Sequence, residues 1–155
     1  MSNRGKAWPV AVVVMISVGA CSRESGPGLG EIMTLNQMRH AKLWQAGKAQ
    51  NWDLAAYELD ELQEGFDDVV KYHPTHKDVS LPLSTLVPRI MDQPMQELKR
   101  AIQSRDMPAF VATYDGLTEA CNSCHQATRF GFNVVKRPVD SAWFGNQEFE
   151  PLGNR

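Results

Sequence analysis

The sequence predicts an all-α domain, an antiparallel up-down-up-down four-helix bundle with an irregular C-terminal tail. Three observations carry that expectation. Apolar residues recur at three- and four-residue spacing from about residue 31 to residue 128. Strand-like alternation is weak over the same stretch. The connections between the periodic segments are short, which favours antiparallel neighbours.

The first helix is expected from near Glu31 to Lys48. The second begins after Asn51, a good N-cap, with Asp53 in its first turn. It ends before Pro74, because the residue preceding a proline avoids the helical region. Ala55, Leu59, Leu62, Phe66 and Val69 form its apolar stripe. The third helix lies between Leu83 and Ser104, with Leu86, Ile90, Leu98 and Ile102 inward, and Pro88 and Pro94 are expected to kink or split it. The fourth begins after the N-cap Asp106, with Pro108 in its first turn. Phe110, Tyr114, Leu117, Cys121 and Cys124 then follow one another along a single face.

At 155 residues, with 43% hydrophobic and 22% charged side chains, the chain has the size and balance of one globular domain. The formal charge of −2 gives no reason to expect a nucleic-acid partner. Residues 1–20 read as a targeting segment. Arg4 and Lys6 make a positive start, and the apolar run from Trp8 to Val18 is too short for a comfortable membrane span. Val18-Gly19-Ala20-Cys21 resembles the lipobox of bacterial lipoproteins, which implies cleavage before Cys21 and lipidation of its thiol. An ordinary secretory signal with a coincidental cysteine is the alternative. Acyl chains would anchor the protein stably, on the periplasmic side of the inner or outer membrane. Residues 21–30, rich in Gly and Ser, read as a flexible linker.

The chain has three cysteines. If lipid takes Cys21, two remain, in Cys121-Asn122-Ser123-Cys124-His125. C-x-x-C-H is the signature of covalent attachment of haem c. Two thiols three residues apart on one helical face can join the two vinyl groups on one edge of a porphyrin. His125 then follows as proximal ligand to the iron. A redox disulfide would call for a βαβ setting, and none is visible. A zinc site would call for further ligands, and no second cysteine pair exists.

One haem motif in the last helix of a small four-helix domain resembles the class II c-type cytochromes, the cytochrome c′ group. The resemblance spans roughly residues 31–128 and rests on layout, with residues 121–125 its one sharp motif. Blocks such as Leu43-Trp44-Gln45-Ala46-Gly47 and Asn51-Trp52-Asp53-Leu54-Ala55 also look like a set of uncharacterised bacterial haem-motif proteins. Cytochromes c′ usually end soon after the motif, whereas residues 126–155 follow it here. The tail from residue 129 carries Phe130, Phe132, Trp143, Phe144 and Phe149. It reads either as a wrap over the bundle or haem edge or as a docking surface for a redox partner.

The resemblance implies that the first helix lines the far side of the iron, and that homodimers are common. At roughly 100° per residue, Met33, Leu43, Trp44 and Gly47 fall within about 60° of His40, whereas Met38 falls about 160° away. His40 therefore centres the apolar face and is the expected sixth iron ligand. Met33, an open site, or a core histidine bonded to a neighbour are the alternatives. His73 and His76 read as capping or surface residues. Arg129, Lys136 and Arg137 are candidates to meet the haem propionates, or else solvated charges. The acidic stretch Glu58, Asp60, Glu61, Glu64, Asp67 and Asp68 reads as a solvated face or a patch for a basic partner.

No Ser/His/Asp arrangement, phosphate loop or pair of catalytic carboxylates stands out. The leading expectation is a membrane-anchored one-electron carrier serving redox protein partners. The alternatives are a gas-binding module of the cytochrome c′ kind and an enzyme such as a peroxidase.

Overall fold

In the computed structural model, residues 26–139 (apart from 78) and 146–151 are described. The lipobox cysteine Cys21, the targeting segment, and Trp143 and Phe144 of the tail lie outside those residues. Four helices form an all-α bundle: α1 Leu29–Lys48, α2 Trp52–Tyr72, α3 Leu83–Ser104 and α4 Met107–Ala127. None is long and apolar enough to cross a membrane. Each packs on its neighbour in sequence, and α1 meets α4 over a smaller area.

Local chemistry sets the boundaries. The Asn51 side chain accepts a hydrogen bond from the Leu54 backbone N–H at 3.2 Å, and Asp106 does the same for Ala109 at 3.0 Å. Arg105 reverses the chain between α3 and α4 in a left-handed conformation, φ 54°. α3 runs unbroken through Pro88 and Pro94, so the expected split does not occur. Packing of its apolar side on α2 and α4 outweighs two missing backbone donors. That side is made by Leu83, Leu86, Val87, Met91, Met95, Leu98, Ala101 and Ile102, with Ile90 only partly covered.

The acidic stretch of α2 is not uniformly solvated. Glu58 is 1% exposed, with Oε1 3.1 Å from Nζ of Lys42 on α1. Glu61 pairs with Arg39 at 3.0 Å, and Asp60 with Lys99 of α3 at 3.4 Å. These pairs register α2 against both neighbours. Burying Glu58 demands a cation in contact, because an unpaired charge in a core costs several kcal/mol, about 3–5 when one partner is lost.

The two ends of the bundle differ. Where α1 ends and α4 begins, the rings of Trp44, Trp52, Phe110 and Tyr114 pack together at centroid separations of 5.0 to 6.1 Å, stacked, tilted and edge-on. Gly47 makes room for this layer, since a Cβ there would stand 2.0 Å from the Phe110 ring. At the opposite end the helices enclose a cavity.

Candidate functional site

The cavity lies among the first turns of α1 and α3 and the last turns of α2 and α4. These four segments share one end of an up-down bundle. Its volume is about 330 Å³, within the range of small-molecule and cofactor pockets, roughly 300–1,000 Å³. Leu62, Phe66, Val69, Val87 and Met91 give it an apolar wall. The α2–α3 connection contributes His76 and Val79, and the tail contributes Phe130, Asn133 and Val135.

Cys121, Cys124 and His125 all line this cavity. Both thiols are free. Burial pushes the Cys121 thiol up to about 12, with the neighbouring Cys124 adding to the shift, and burial raises Cys124 as well. Both are therefore neutral at physiological pH. The His125 imidazole donates from Nδ1 to the Asn133 carbonyl, 2.6 Å away. That bond fixes the tautomer and leaves the Nε2 lone pair free, the arrangement in which a histidine serves as a metal ligand. Among the described residues no group of three or more His, Cys, Asp and Glu stands ready to hold a metal by itself.

The tail is sewn to α4 across the motif. Asn122, inside the motif, donates from Nδ2 to the Val135 carbonyl at 2.9 Å and accepts from the Val135 N–H at 2.8 Å. Arg137 bonds Asp115 through two nitrogens and lies over the Trp44 ring, 4.5 Å from its centroid. Residues 133–137 therefore form a strap over the last turns of α4. Further on, Phe149 is buried in the core. Phe132 remains 83% exposed beside Phe130, at the rim.

His40 lines the cavity too, and it is 3% exposed. Its ring nitrogens are both engaged. The Thr118 hydroxyl donates to the Tyr114 carbonyl at 2.9 Å, so its oxygen receives the His40 Nε2–H, also at 2.9 Å. Nδ1 then accepts from the Tyr114 hydroxyl at 3.0 Å, a proton shared with the His40 carbonyl. Burial lowers the imidazole to about 4, so it is neutral. In this arrangement His40 has no lone pair to offer an iron. It joins α1 to α4 and floors the cavity above the aromatic layer.

The remaining expected residues divide. Met33 lines the cavity and is partly covered. Met38 is exposed. Arg129 is exposed in a left-handed turn, φ 67°, and does not line the cavity. Lys136 is exposed and does not line the cavity, and Arg137 is committed to Asp115. His73 caps α2, and its Nε2 donates to the Pro27 carbonyl at 2.8 Å. His76, expected at the surface, lies on the cavity wall, its ring 5.8 Å from Phe130. Sequence reasoning missed Asn36, Met91, Asn122 and Asn133. Met91 lies one turn after Val87 on the α3 stripe and Asn36 one turn before His40 on α1, so helical periodicity could have found both, while Asn122 and Asn133 carry no periodic signal.

Comparison with known protein families, with curated proteins and with solved structures finds no match to this chain. The functional reading rests on its own residues.

Proposed function

We propose that this chain is a mono-haem c-type cytochrome, lipid-anchored on the periplasmic side of a bacterial envelope, that carries single electrons between protein partners. One observation supports the haem above all others. Two free thiols and an imidazole with a free Nε2 share the wall of an apolar cavity at one end of a bundle. Cys121 and Cys124 would hold the group as thioethers, and His125 would ligate its iron. Bound there, a haem supplies a one-electron centre whose potential follows its axial ligands and surroundings.

The chain's own residues do the rest. Asn133 aims the His125 ring and raises its basicity by accepting from Nδ1. Leu62, Phe66, Val69 and Val87 keep water from the interior. Phe130 and Phe132 stand at the rim, where a partner could approach. The anchor rests on the sequence pattern at Cys21 and would confine the domain near membrane partners, raising its effective concentration there.

A second reading, binding of a small gas ligand, is favoured by the engagement of both His40 nitrogens. Absorption spectra in both oxidation states, followed by redox titration, separate the two. A carrier gives one reversible wave and reduction by a quinol-linked or periplasmic donor. A high-spin ferrous spectrum that shifts with carbon monoxide, with no donor able to reduce the protein, contradicts the carrier and favours ligand binding.

A further inference from the structure

We propose that Asn36 is the hydrogen-bond donor of a small-anion site within this cavity, a proposal that rests on the haem reading above. Asn36 lies on α1 one turn before His40, lines the cavity and is 4% exposed. Its amide orientation is set from one side. Arg39 donates to Oδ1 at 3.3 Å and is itself held by Glu61 at 3.0 Å. Oδ1 also rests against Gly65 of α2, where a Cβ would come within 1.8 Å of it. The amide nitrogen is left over. Nδ2 is buried and has no hydrogen-bond partner among the described residues. Native cores rarely leave such a donor unmet without a use for it.

The surroundings indicate what would use it. Thr34 donates to the Gly30 carbonyl, His125 Nδ1 to Asn133 and His40 Nε2 to Thr118, so those polar neighbours are occupied. Among the described residues, those that line the cavity include no Asp or Glu to repel an anion. In low-dielectric surroundings a hydrogen bond to a charged acceptor is stronger than one to a neutral acceptor. A ferric haem held by Cys121, Cys124 and His125 would add positive charge to the cavity that Asn36 lines. The ligand class is therefore a small anion with an accepting atom, and a poor acceptor such as carbon monoxide would gain little from Asn36.

Fluoride is the probe. Ferric holoprotein is titrated with fluoride and ferrous holoprotein with carbon monoxide, after mass analysis has shown haem on the motif peptide. Asn36→Leu and the isosteric Asn36→Asp should each weaken fluoride binding at least about tenfold, a 1.4 kcal/mol effect, and leave carbon monoxide affinity within about twofold. Asn36→Asp keeps the volume and serves if the leucine variant does not fold. Unchanged fluoride affinity in the folded variants, or a wild-type protein that binds no fluoride, overturns the proposal while the haem reading stands. Absence of covalent haem overturns both.

Discussion

At the scale of single residues, His40 shows how far a helical face can be read. Its place at the centre of the α1 apolar face follows from α-helical geometry, and it is buried. What it does there depends on Tyr114 and Thr118, on a helix more than seventy residues away in sequence. No spacing rule could supply those partners, so the sequence left an iron ligand and a core histidine bonded to a neighbour both open, and the fold shows the bonded ring. The crosslink has a pH signature. An unfolded histidine titrates near the ordinary 6.5, whereas the folded imidazole stays neutral down to about 4. Between those values the unfolded chain binds the extra proton, so stability rises with pH. The contribution is complete above pH 6.5 and is lost as pH falls towards 4. The loss is bounded at about 3 kcal/mol, since each tenfold change in proton affinity corresponds to about 1.36 kcal/mol. Urea unfolding of His40→Gln at about pH 7 and about pH 4.5, either side of most of that window, should show a smaller pH dependence than the wild type. An equal dependence in both would place the titrating group elsewhere.

Among the elements, the four helices were legible, and the tail was legible as a wrap over the bundle but not in its attachment points. The helices carry periodic stripes, and Asn51 and Asp106 mark the starts of α2 and α4 with side-chain caps. α3 keeps its full length against the expectation set by Pro88 and Pro94, because tertiary packing overrides local cost. The strap has no periodicity. It is placed by Asn122, whose amide imitates a backbone edge towards Val135, and by the Arg137–Asp115 pair. Its consequence is functional, since it brings the Asn133 carbonyl to His125. Asn122→Ala removes two hydrogen bonds, each worth about 0.5–1.5 kcal/mol. The variant should be cut faster by trypsin at Arg129 and Lys136. With His125 less well supported, its midpoint potential should rise, because a less basic ligand stabilises the oxidised iron less. Faster cleavage with an unchanged potential would mean that the strap only covers α4.

For the whole molecule, the two bundle ends divide the labour. An aromatic layer of Trp44, Trp52, Phe110 and Tyr114 fills one end, and the His40 crosslink closes it off from the other. The freed end keeps a cavity that the motif, the α2–α3 connection and the tail complete together. The motif was legible because its three chemical groups lie within five consecutive residues. The rest of the cavity was not, because Asn36, His76 and Met91 reach it from three different segments. Everything proposed for this molecule depends on covalent haem at Cys121 and Cys124. The decisive measurement is mass analysis of the tryptic peptide spanning residues 106–129, from protein made in a bacterium that matures c-type cytochromes. A cytochrome yields one haem on that peptide and no thiol at either cysteine able to react with an alkylating reagent. A peptide of unmodified mass, with both thiols open to alkylation, would contradict it.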